Sequence, residues 1–138
     1  MNIMTAMKAM KAAIFASEST ASKVEMVVEG GNKKVTLISH GTDIVTMDIL
    51  DSNSVTSVEL DSRKNLHSIV ACTLEMIYET RSGVYTVETK TGVLTVGSPE
   101  WKIEVKILRE TESASVKFTR DEALVFVDHI RSFYPSAC

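Results

Sequence analysis

The sequence has little of what most chemistry-bearing scaffolds need. Its 138 residues include two cysteines and two prolines, and aromatic residues make up only 6%. Two cysteines do not build a disulfide framework, and a chain of this length buries roughly 70% of its unfolded surface without one. Cys72 falls in a helical stretch and Cys138 is the last residue, so both read as thiols in a reducing, cytoplasm-like compartment. His40, His67 and His129 are far apart in sequence, and none has a partner at metal-ligand spacing. No Ser, Cys or Lys stands in a nucleophile motif, and Gly30-Gly31 reads as a hairpin turn rather than a phosphate loop. Neither enzymatic chemistry nor a metal or cofactor is therefore expected. No run is long and apolar enough for a membrane-spanning helix, so no membrane partner is expected. The net charge of −3 excludes a strongly basic chain but leaves room for a local basic face.

What is present begins with an amphipathic stretch. Ile3, Met7, Met10 and Ile14 recur at helical spacing, with Lys8 and Lys11 beside them. The apolar core at residues 12–16 is short for a secretory signal, and a mitochondrial presequence would favour the arginine that is missing there. Residues 1–22 are thus expected to form a retained helix and a polar linker. Met1, Met4, Met7 and Met10 offer an adaptable apolar surface. It packs either on the protein's own sheet or in a partner's groove, and Met4, Met7, Met10 and Ile14 are the candidate docking residues.

The rest of the chain aligns with itself at an offset of 58, where the run 43–50 falls on 101–108 and Ser57-Val58-Glu59-Leu60 falls on Ser115-Val116-Lys117-Phe118. Val35 then falls on Val93 and Leu66 on Leu124. The apolar positions match better than the identities, as expected of a duplication that keeps its core. Strand-like alternation covers 24–29, 34–39, 43–50 and 55–60, with turn signals at Gly30-Gly31-Asn32 and Asp51-Ser52-Asn53. A helix capped near Asp61-Ser62 follows, with Leu66, Ile69, Val70, Thr73, Leu74 and Ile77 on one stripe. Strands are expected again over 84–89, 93–97, 101–109 and 114–118. Thr119 and Glu122 form a capping box before a last helix that Pro135 ends.

The fold class expected is α+β. An N-terminal helix is followed by one duplicated domain over 23–138, made of ββββα repeats at 23–80 and 81–138. The two four-stranded antiparallel sheets pack face to face, and the helices close the open ends.

Tandem ββββα units resemble the Whirly and PUR-repeat families of single-strand nucleic-acid binders. The likeness is closest where the run 114–119 precedes 123–128, which reads like the last strand and helix of a PUR repeat. Ser57-Val58-Glu59-Leu60-Asp61 before Leu66 is a fainter version. The Lys-Gly-Lys-Ala-Ala-Leu signature of plant Whirly proteins is absent. The resemblance implies binding of single-stranded DNA or RNA across the sheets by a homo-oligomer.

Such binding needs cations along a groove and flat rings on which bases stack. Alternation places Lys102 and Lys106 on the face opposite Trp101 and Ile107, with Tyr85 on the lysines' face and Lys90 on an adjacent turn. Lys33 and Lys34 flank the first turn, within reach of phosphates. Trp101 opens a strand after Pro99, as a stacking platform or as core packing. The bland reading of each lysine is an outward charge that keeps a strand soluble and guards its edge. The expected function is sequence-tolerant, non-enzymatic single-strand binding, with Lys33, Lys34, Lys90, Lys102 and Lys106 on phosphates and Tyr85 and Trp101 on bases. The alternative is a structural, assembly or inhibitory protein that docks or oligomerises through its N-terminal helix and sheet edges.

Overall fold

The computed structural model of the chain describes residues 22–134, apart from 30, 42, 80 and 81. Two antiparallel four-stranded meanders follow one another, each closed by a helix. The first comprises β1 (Ser22–Val27), β2 (Lys33–Ser39), β3 (Ile44–Asp51) and β4 (Ser54–Asp61), then α1 (Leu66–Tyr78). The second comprises β5 (Val84–Glu88), β6 (Val93–Gly97), β7 (Ile103–Leu108) and β8 (Ser113–Phe118), then α2 (Arg120–Arg131).

The expected opening on a helix is corrected. Among the described residues the chain opens on a strand, and its first helix is the mid-chain α1. The segment expected to be helical, with Met4, Met7, Met10 and Ile14, lies outside the described residues. Ser22, assigned to a linker from its polarity, already pairs with Ser39 in β1. Neither α1 nor α2 is long and apolar enough to cross a membrane.

Period-two alternation decides the faces of both sheets. Val45, Met47 and Ile49 of β3 and Val58 and Leu60 of β4 point inward, with Ile103, Val105 and Ile107 of β7 and Val116 and Phe118 of β8 facing them; all are at most 4% exposed. β3 packs against β8 and β4 against β7. The helices pack on each other, α1 also on β6 and β7 and α2 on β8. Phe118 and Phe126 stack at 4.8 Å where β8 meets α2. Burying whole side chains of this size is worth about 1.5–3 kcal/mol each, which makes this shared core the source of the fold's stability.

The repeat is real but not of one offset. In β3/β7 and β4/β8 the inward residues correspond at 58, as Val45 does to Ile103 and Val58 to Val116. Val35, however, pairs with Ile49, and Leu94 with Ile107, so the counterpart of Val35 is Leu94 and not Val93, which faces outward. In the helices the buried set Leu66, Ile69, Val70 and Thr73 corresponds to Ala123, Phe126, Val127 and Ile130, so Leu66 does not match Leu124. Loops that differ by a residue or two shift the numbering while the three-dimensional positions persist.

The lead into α1 differs from expectation. Asp61 ends β4, and its carboxylate accepts from the backbone N–H groups of Arg63 and Lys64 at 2.8 and 3.1 Å, forming a turn before the helix starts at Leu66. At α2 the expected capping box is present: Thr119 Oγ1 accepts from Glu122 N at 3.2 Å, and Glu122 Oε1 accepts from Thr119 N at 2.9 Å.

Candidate functional site

The outward faces carry the polar residues, and the pairing register sorts them into rows. Across the second sheet one row reads Thr86, Thr95, Lys106 and Ser115, and the next reads Val84, Gly97, Glu104 and Lys117. Across the first sheet the central row reads Glu25, Thr36, Asp48 and Ser57. The second sheet therefore has a cation at its centre where the first has a carboxylate. Lys106 is exposed and has no ion pair among the described residues, as is also true of Lys90 on the β5–β6 turn.

Three of the lysines expected to meet phosphate are otherwise engaged. Lys33 turns inward and donates to the Ser115 carbonyl at 2.8 Å, with Asp51 3.9 Å away. Lys34 lies 3.3 Å from Glu25, whose carboxyl is held below its usual range by hydrogen bonds and charge from Lys23 and Lys34. Lys102 donates to Glu29 at 2.8 Å, and that hydrogen bond raises its ammonium above the ordinary lysine value. Lys34 and Lys102 sit in exposed pairs worth little to stability. Lys33 is structural.

Tyr85 is a second correction. It pairs with Val96, which pairs with Val105, so it sits half-buried on the inner face against the core rather than beside the lysines. Counting alternation across the β5–β6 loop put it on the wrong side.

Trp101 is exposed to 88%, the most of any large apolar side chain among the described residues. It does not continue the alternation of β7, which begins at Ile103. Pro99, Glu100 and Trp101 form a short 3-10 turn in which Glu100 and Trp101 have left-handed backbones, with φ of 53° and 67°. Left-handed geometry costs an L-residue roughly 1–2 kcal/mol. Here it swings the indole out of the strand and into solvent.

Beside the ring lies a cleft of about 440 Å³. Met76 and Ile77 at the end of α1 and Ile103 form its apolar part, and Lys102, Arg120 and Glu100 supply charge. Glu100 lies 3.8 Å from Lys117. Arg120, at the first turn of α2, has no ion pair among the described residues. Sequence reasoning missed it because Thr119 and Glu122 already accounted for that stretch as a helix cap. Its signal was the repeat: in the helix register Arg120 corresponds to Arg63, and in the strand register Trp101 corresponds to Asp43. In the first repeat those counterparts are joined, Arg63 Nε donating to Asp43 at 3.0 Å.

Thus the sequence-derived set divides. Trp101 and Lys102 line one cleft at the entry to β7, and Lys106 lies further along that strand. Lys90 lies on the turn at the far end of the second sheet, and Lys33, Lys34 and Tyr85 do not join them. Of the two thiols, Cys72 is half-buried and free, with its pKa raised by burial and by Glu75. Cys138 lies outside the described residues.

No protein-family model matches the chain, and no curated protein matches it. Among solved structures it is similar to a chain in the crystal structures of Trypanosoma bruciei MRP1/MRP2, at 17% identity and a TM-score of 0.48, over 80% of this chain and 90% of that one. That is a distant likeness in a two-sheet β arrangement, and it does not single out the Whirly or PUR families.

Proposed function

We propose that the protein binds single-stranded DNA or RNA, without strong sequence preference, along the outer face of its second sheet toward Trp101. The observation that carries this reading is the tryptophan. The ring is 88% exposed and stands on two left-handed residues, a geometry that costs about 1–2 kcal/mol per residue. Flat rings presented to solvent beside cations are what single-strand binders use, each stacked base contributing about 1–3 kcal/mol. The row Thr86, Thr95, Lys106 and Ser115 adds hydroxyls and one exposed ammonium with no ion pair among the described residues.

The proposal narrows the interface. Lys106, Lys90, Arg120 and Trp101 bear the contacts, Lys102 shares its charge with Glu29, and Lys33, Lys34 and Tyr85 drop out. The test is fluorescence anisotropy of a labelled mixed-sequence single strand, DNA and then RNA, across a salt series. With about three phosphates neutralised, the slope of log K against log salt is expected near −2. Lys106→Glu should weaken binding and flatten that slope, while Lys34→Glu should leave both unchanged. Absence of binding at low salt, where screening is least, defeats the reading and moves the case to an assembly role.

A further inference from the structure

The duplication supplies an internal comparison at the cleft. Each repeat brings together the residue that precedes its third strand and the arginine that precedes its helix core. In the first repeat these are Asp43 and Arg63, joined at 3.0 Å, a charge satisfied by a charge. In the second the acid is replaced by Trp101, and Arg120 keeps its guanidinium beside a cleft floored by Met76, Ile77 and Ile103. The cleft's own acid, Glu100, has Lys117 at 3.8 Å, and Glu122 is taken up in the helix cap. One repeat has closed this corner on itself and the other has left it open.

We infer that the corner formed by Trp101, Arg120 and the apolar floor is a single-nucleotide subsite, taking an unstacked base against the indole and its phosphate on Arg120. The inference rests on the nucleic-acid reading above and specifies where a strand is gripped. The chemistry fits on three counts. About 440 Å³ falls within the roughly 300–1,000 Å³ of small-ligand pockets. The thioether of Met76 and the indole accept the face of any base, which makes the grip tolerant of sequence. A planar guanidinium offers paired donors to phosphate oxygens, which the Lys102 ammonium, already held by Glu29, does not.

Trp101 is the single tryptophan of the chain, so its emission reports this corner directly. The experiment titrates the full-length protein with a nucleoside 5′-monophosphate, with the matching nucleoside, and with an oligonucleotide, following that emission. The monophosphate is expected to quench Trp101 and to bind at least about fivefold more tightly than the nucleoside, because its phosphate adds a charge-assisted contact with Arg120. Arg120→Gln should abolish the difference between the two, with circular dichroism confirming an unchanged fold. Arg63→Gln, in the closed corner, should leave it intact. If the oligonucleotide binds but the monophosphate leaves the emission unchanged at millimolar concentration, or if Arg120→Gln behaves as wild type, the subsite is refuted while strand binding stands. If neither ligand binds, both fall.

Discussion

Replacing Lys33 with methionine should destabilise the protein without affecting nucleic-acid binding. Lys33 Nζ donates to the Ser115 carbonyl at 2.8 Å, joining the first sheet to the edge strand of the second. Methionine keeps most of the apolar stem and removes the donor. A hydrogen bond to a charged group contributes about 1.5–3 kcal/mol, and with the side chain 31% exposed the lower end applies, about 1.5 kcal/mol. The fold contains its own control. Ser57 is the strand-register counterpart of Ser115, and its carbonyl accepts from Arg109 Nη1 of the second repeat at 3.5 Å in an exposed setting. Arg109→Met should therefore cost less than about 0.5 kcal/mol. In urea, with a slope of about 1.5–3 kcal/mol per molar, Lys33→Met lowers the midpoint by about 0.5–1 M at unchanged slope. Equal losses for the two variants would refute the brace. A drop in oligonucleotide affinity on Lys33→Met would refute its exclusion from the interface.

Other substitutions test other parts of the fold. A Cβ on Gly92 would lie 2.8 Å from the Leu108 carbonyl, so Gly92→Ala should cost about 1–3 kcal/mol in chemical denaturation, and a neutral result would show that the turn yields freely. Thr119→Ala removes one half of the α2 capping box and should cost about 1 kcal/mol, read as a lower thermal midpoint. Burial and Glu75 raise the pKa of Cys72, so its thiolate is depleted relative to the unfolded chain at any given pH. The pH–rate profile for alkylation of the Cys72 peptide, followed by mass spectrometry, should have its midpoint above that of the denatured protein, and a midpoint at or below it would contradict the assignment.

Much of the fold was legible in the sequence because sheet faces are a local property. The alternation of Val45, Met47 and Ile49 is the core of β3, and Thr119 with Glu122 foretold the start of α2. What escaped depended on loops and on distant neighbours. A loop one or two residues longer in one repeat turned Val93 outward and set Leu94 in the place of Val35, and the same uncertainty placed Tyr85 on the wrong face. Lys33 looked like a surface cation because its acceptor, Ser115, is 82 residues away. Trp101 fitted the alternation of Ile103 and Val105 but left it, because a left-handed turn after Pro99 redirects the chain. Arg120 needed the comparison with Arg63, which only the helix register supplies. The stretch expected to form the N-terminal helix lies outside the described residues, whose first element is β1.

The most direct test of the central claim is the emission of Trp101 as an unlabelled single-stranded oligonucleotide is added at low and at physiological salt. If bases stack on the exposed ring, emission is quenched saturably, the midpoint rises steeply with salt, and Lys106→Glu moves it further. An emission that stays that of a solvent-exposed tryptophan throughout, at a salt where the oligonucleotide demonstrably binds or where it does not bind at all, would contradict the claim that this face and this ring hold the strand.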